Sequence, residues 1–174
     1  MNKELKRKLL ELNYQFDRVH YIQKNNRSLT SLFRMLVYNS VKYKERINKL
    51  QEDYTLINRI KIKIPYRELV ACSIAAKHKK IGVFGTSHEM LHKSKYHRVL
   101  SSALSLLGEI GSRSLLTRCD NYIGKCAEVK AANNILKNEK KAILANIEFT
   151  SAIRPRSQEK IKRCINCTTV FGHE

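Results

Sequence analysis

The chain has 174 residues, 43% of them apolar, with 34 Lys and Arg against 15 Asp and Glu and a formal net charge of +19. That length and apolar share suit one folded domain with a small appended unit, and they exclude a chain too polar to build a core. No run of about 18 apolar residues occurs, which excludes a membrane-spanning helix, and the charge surplus points to a polyanionic partner, nucleic acid ahead of an anionic membrane surface.

The first residues, Met1 to Lys8, lack the apolar core of a signal peptide. The expectation is a protein made in the cytoplasm and, where it acts elsewhere, delivered to its target by another machine or by a fused partner. Leu5, Leu9, Leu12, Phe16 and Val19 then recur at steps of four and three, which predicts a helix with basic residues opposite its apolar stripe. Asn25, Asn26 and Arg27 break that pattern, and Ser28 can cap a second helix. A second series runs through Leu29, Phe33, Leu36, Tyr43, Ile47, Leu50, Tyr54 and Ile57, interrupted by Ser40. Its heptad-like spacing suits a coiled-coil seam or a helical hairpin. Residues 1–64 therefore form a helical hairpin extension, and 65–174 form a second unit.

Within that second unit the pattern changes. Ile60, Ile62 and Ile64 alternate with basic residues, as in a short strand. Pro65 suits the first turn of a helix carrying Leu69, Cys72, Ile74, Ala75 and Ala76, closed by Lys77 to Lys80. Ile81 to Gly85 reads as a strand ending in a turn. His88-Glu89-Met90-Leu91-His92 matches the H-E-x-x-H of zinc metallopeptidases, where two His one helical turn apart bind metal. Thr86 and Glu89 also have capping-box spacing, which gives Glu89 a structural role at the start of a helix running on through Val99, Leu100, Leu104 and Leu107. No third metallopeptidase ligand occurs downstream at a recognisable spacing. His88 and His92 are instead assigned to the wall of a substrate pocket.

Gly108 and Gly111 end the apolar segment, residues 112–118 suit a strand or a loop, and Gly124 makes a tight approach to Cys126. A helix from Lys125 carries Val129, Ala132, Ile135 and Leu136 inward and ends near Asn138. A charged turn comes next, then a strand around Ile147 and Phe149, stopped by Pro155. Arg154, Arg156, Lys160, Lys162 and Arg163 cluster before Cys164, in a position to hold a phosphate or a nucleic-acid backbone.

The chemistry concentrates in Cys126-Ala127-Glu128 and Cys164-Ile165-Asn166-Cys167. Five cysteines, an odd number gathered late in the chain, favour reduced metal-binding thiols over a disulfide framework. Cys126, Cys164 and Cys167 give a zinc site with an open fourth position, and Glu128, two residues from the first ligand, can take a proton from water activated there. Spacing alone equally allows a closed structural knot in which Cys119 is the fourth ligand and Glu128 an ordinary surface carboxylate.

Cys126-Ala-Glu-Val-Lys-Ala-Ala-Asn-Asn134, then Cys164-Ile-Asn-Cys167 and Val170-Phe171-Gly172, resemble the YwqJ-type toxin deaminases of the cytidine-deaminase superfamily. The likeness covers Asn121 to Gly172. It implies Cys126, Cys164 and Cys167 as zinc ligands, Glu128 as proton shuttle, a mixed three-layer α/β/α fold of alternating strands and helices, and a toxin neutralised by an immunity protein in the producing cell. Arg163 stands where that family usually has Pro, and the short stretch after Cys167 predicts a truncated sheet. The resulting expectation is a zinc-dependent deaminase that removes the exocyclic amine of cytosine or adenine within nucleic acid. Its rivals are a non-enzymatic nucleic-acid-binding protein with a structural zinc site and a metallopeptidase.

Overall fold

Leu5, Leu9 and Phe16 are buried along one side of α1 (Lys3–Arg18), as their spacing predicts. The computed structural model describes residues 2–18, 23–24 and 27–172, so Val19 and the Asn25-Asn26 break lie outside the described residues. Ser28 caps α2 (Leu29–Asn58) by accepting the Ser31 N–H on its side chain, and Arg59 ends it in the left-handed region at φ 53°. The buried stripe of α2 is Leu32, Leu36, Ser40, Tyr43, Ile47, Leu50 and Tyr54, so Leu32 rather than Leu29 or Phe33 leads it, and Ile57 is exposed.

That stripe is shared between two partners instead of forming one coiled-coil seam. Tyr43, Ile47, Leu50 and Tyr54 pack with Leu5, Leu9 and Phe16 of α1. Leu32 and Leu36 pack with Ala75, Phe84 and Ile153 of a sheet. The hairpin is thus continuous with the rest of the molecule: Ile64, Leu69 and Val70 complete the cluster it forms with α1.

The sheet comprises β1 (Gln23–Lys24), β2 (Ser73–His78), β3 (Ile81–Thr86), β4 (Glu148–Phe149), β5 (Ala152–Ile153) and β6 (Lys160–Ile161). Its order is β1-β3-β2-β5-β6, with β4 also paired to β2, and every pairing is antiparallel. Alternation along β2 and β3 sends Ala75 and Phe84 towards α2. It sends Ile74, Ala76, Ile81 and Val83 to the other face, against α3 (Arg98–Ser105) and α4 (Ala127–Asn138). A seven-residue α5 (Ile165–Phe171) completes a mixed α/β fold with helices on both faces of the sheet.

Four local expectations are corrected. Residues 73–78, expected to be helical, form β2; Ser73 to Ala76 are all buried, because the strand is paired on both edges and covered on both faces. Such a strand shows neither a helical nor an alternating pattern. Lys79, at φ 51°, turns the chain into β3 instead of ending a helix. Residues 59–64 are not a strand: the Ile62 and Ile64 N–H groups are held by Thr55 Oγ1 (3.0 Å) and Gln51 Oε1 (3.4 Å) of α2. Thr86 ends β3, and its hydroxyl goes to the Asp17 carboxylate instead of capping a helix. Residues 87–97 are therefore a loop with one tight turn at Lys93–Lys95. Buried Asn133 of α4 holds that loop, accepting the His97 N–H at 2.6 Å and donating to Lys95 O at 3.1 Å.

Residues 112–118 resolve as loop, tied by a backbone bridge between Arg113 and Tyr122. The strand expected around Ile147 and Phe149 is split into β4 and β5 at Thr150, whose side-chain oxygen accepts the Ala75 N–H at 3.1 Å in place of a backbone carbonyl.

Candidate metal centre

Two helices begin at cysteines. Cys126 is the N-cap of α4 and Cys164 the N-cap of α5, and neither thiol is spent on capping its own helix. Cys167 sits in the first turn of α5 and is buried. The Cys126 and Cys164 sulfurs are 3.4 Å apart, and all three sulfurs lie within 4.8 Å of one another. A tetrahedral ion with metal–sulfur bonds of about 2.3 Å needs sulfurs about 3.8 Å apart, so the cluster could hold a metal ion with small adjustments. Cys119 lies outside this group, and among the described residues no other set of ligand side chains converges in this way.

Local packing fixes both helix starts. A Cβ at Gly85 would stand 2.0 Å from Ala127 O and 2.8 Å from Ala131 N, so the first turn of α4 rests directly on the backbone of β3. Gly124, at φ 91°, makes the turn into Cys126, and its carbonyl accepts the Tyr96 hydroxyl at 3.0 Å. Between the two α5 thiols, buried Asn166 donates to Asn121 O at 3.0 Å and accepts the Thr117 hydroxyl. Arg163 donates to Gly172 O at 2.7 Å and lies over Phe149, which packs on Phe171 at 5.1 Å. α5 is thereby clasped at both ends.

The three thiols shift one another. The hydrogen bond from Cys126, then that from Cys167, pushes the Cys164 thiol well below its usual range. The Cys126 thiol is pushed up, chiefly by its hydrogen bond to Cys164, and the Cys167 thiol by its hydrogen bond with Cys126. Three sulfurs within 4.8 Å of one another form a soft donor set suited to a thiophilic cation.

Cys126, Glu128 and Cys164 line a cavity of about 430 Å³, within the roughly 300–1,000 Å³ typical of small-ligand sites. Glu128 is only 4% exposed, and burial raises its carboxyl above the ordinary carboxylate range, with Cys164 adding to the effect. A carboxyl in such surroundings is placed for proton transfer.

The predicted substrate-binding residues divide. His88 and Arg154 line the cavity. His92 is exposed beyond it, with Nδ1 2.8 Å from Ser94 Oγ. Arg156 stacks on Tyr66, a cavity residue, with its guanidinium 3.2 Å from the ring centroid. Arg163 serves to fasten α5. His88 to His92 contain no helical turn, so the two imidazoles are not presented one turn apart as the metallopeptidase motif requires. Sequence reasoning missed the wall formed by Tyr66, Arg67, Leu69 and Cys72, and Tyr122 beside Lys125. The one local signal was Pro65, which introduces the tight turn Tyr66–Glu68 rather than a helix.

Compared with protein-family models, curated proteins and solved structures, the chain gives no match.

Proposed function

We propose that the protein is a zinc-dependent nucleobase deaminase acting on nucleic acid. The observation that carries this reading is the shared position of Cys126, Glu128 and Cys164 on one cavity, with Cys167 behind them and Cys119 outside the cluster. Zinc held by the three thiols would supply the Lewis acidity that activates water near neutral pH. Cys126, Cys164 and Cys167 would hold the ion, and two of them, Cys126 and Cys164, line the cavity. Glu128 carries one proton of the attacking water to the ring nitrogen and then the second to the departing amine, so that water enters and ammonia leaves at C4 of cytosine or C6 of adenine. The buried setting of its carboxyl suits a group that must alternate between the two protonation states.

The net charge of +19 supports a polymeric substrate over a free nucleoside. The likeness of the Cys126–Asn134 and Cys164–Cys167 stretches to YwqJ-type toxin deaminases supports a toxin or effector role, opposed by an immunity protein in the producing cell. The structural knot with Cys119 as its fourth ligand lacks support, because Cys119 is not in the group.

The test is a deamination assay read by mass spectrometry. Wild type and Glu128→Ala are each incubated with single- and double-stranded DNA, RNA and free nucleosides. Uracil or inosine formed by wild type alone is the expected result. No product from protein that holds one zinc overturns the reading.

A further inference from the structure

Two tyrosines stand on the wall of the cavity with much of their rings in solvent. Tyr66 is 63% exposed and Tyr122 is 45% exposed. Large aromatic side chains left in water on a folded surface call for an explanation when they adjoin a concave site. Both are set among cations. Arg156 covers Tyr66 at 3.2 Å, and Tyr122 has Arg113 at 5.7 Å and Lys125 at 5.9 Å from its centroid. Arg154 and Lys162 add positive charge to the same cavity.

Cation–π contact holds each ring in place while leaving it area on which a flat ligand can stack. Each tyrosine is also anchored through its backbone. The Tyr66 carbonyl accepts the Leu69 N–H at 3.1 Å, and Tyr122 forms the bridge to Arg113. Aromatic faces interleaved with Arg and Lys along a groove are what binds single-stranded nucleic acid: bases stack on the rings, and phosphates meet the cations. A paired base presents no free face to such rings, and a duplex does not fit into a concave pocket without unpairing.

We infer that Tyr66 and Tyr122 form a stacking platform for the bases flanking the one that enters the cavity, which makes single-stranded nucleic acid the ligand. The inference deepens the deaminase reading by naming the form of its substrate. The platform acts through binding alone, so it can be tested where no chemistry occurs.

The experiment measures fluorescence anisotropy of labelled ten-nucleotide single strands, one DNA and one RNA, and of the matching duplex. Proteins are wild type, the double variant Tyr66→Ala/Tyr122→Ala, and the double variant Tyr66→Phe/Tyr122→Phe, each shown to be folded by circular dichroism. The alanine variant is expected to lose about tenfold or more in single-strand affinity. The phenylalanine variant keeps near-wild-type affinity, because stacking needs the ring and not the hydroxyl. Abasic sites in the strand weaken wild-type binding and leave the alanine variant unchanged. The DNA and RNA arms identify the sugar. Undiminished binding by the alanine variant, or duplex binding as tight as single-strand binding, overturns the inference. Tyrosine-dependent binding without deamination would keep the platform and remove the enzyme; deamination of a single strand with rate and affinity unaffected by the alanine variant would do the reverse.

Discussion

The hydroxyl of Tyr43 on α2 donates to Asn13 Oδ1 on α1 at 2.6 Å, with both residues buried. The same hydroxyl oxygen accepts the Val70 N–H at 3.1 Å, and Asn13 Nδ2 donates to Glu68 O at 2.7 Å. The helical hairpin therefore grips residues 68–70, next to the cavity wall at Tyr66, Arg67 and Cys72. Tyr43→Phe leaves the Val70 N–H and the Asn13 amide oxygen buried without that partner. The expected cost is about 1–3 kcal/mol in urea unfolding, together with weaker ligand binding at a cavity the mutation does not touch.

The same tyrosine gives a pH signature. Burial pushes the Tyr43 hydroxyl up to about 12, against about 10 in an unfolded chain. A folded value above the unfolded one means that its contribution is complete below about pH 10 and is lost as pH rises through about 12. Stability should therefore fall across that window, by up to about 1.4 kcal/mol per pH unit from this group. Tyr43→Phe lacks the group, so the gap between variant and wild type narrows on going from about pH 9 to about pH 11. A constant gap would contradict the assignment.

Metal content separates the thiols. Alanine at Cys126, Cys164 or Cys167 is expected to abolish stoichiometric zinc, measured by elemental analysis of purified protein. Cys119→Ala and His88→Ala should retain it. Loss of zinc from Cys119→Ala would restore the four-thiol knot, and loss from His88→Ala would restore the metallopeptidase.

Glu128→Gln should keep zinc and fold while losing about 10²–10⁴-fold in deamination rate, the range for removing a general acid–base group. Equal loss of metal and activity would instead make Glu128 part of the binding set.

Gly85→Ala tests how the site is held. A methyl group 2.0 Å from Ala127 O forces α4 away from β3. Overpacking of this kind costs about 1–3 kcal/mol or more, and because Cys126 caps the displaced helix, zinc affinity should fall with stability.

How far these relationships could be read in advance depended on what each segment is packed against. α4 was legible from its glycine approach, its inward stripe of Val129, Ala132, Ile135 and Leu136, and its charged end at Lys137. The two cysteine motifs were legible as a group that could hold a metal because their spacing is a local property. β2 was not legible: a strand covered on both faces loses its period, and Lys77 to Lys80 mimic a helix end. Thr86 and Glu89 matched a capping box, yet Thr86 belongs to β3 and is claimed by Asp17, 69 residues away in sequence. Beyond Pro65 before Tyr66, the two wall tyrosines Tyr66 and Tyr122 gave no signal, because their significance comes from sharing a cavity that only the tertiary fold creates.

Cys126 and Cys164 are 38 residues apart in sequence. An ion joining them works as a cross-link on chain entropy, shortening the conformational search of everything between α4 and α5. The loop-closure relation for a cross-link of that span gives about 4 kcal/mol, a large share of the roughly 5–15 kcal/mol that holds a typical domain together. α5, at seven residues, is too short to persist by itself. On the proposed zinc reading, chelation should therefore release the C-terminal segment as well as stop any metal-dependent reaction, so that one trace metal would govern both the durability of the fold and its use.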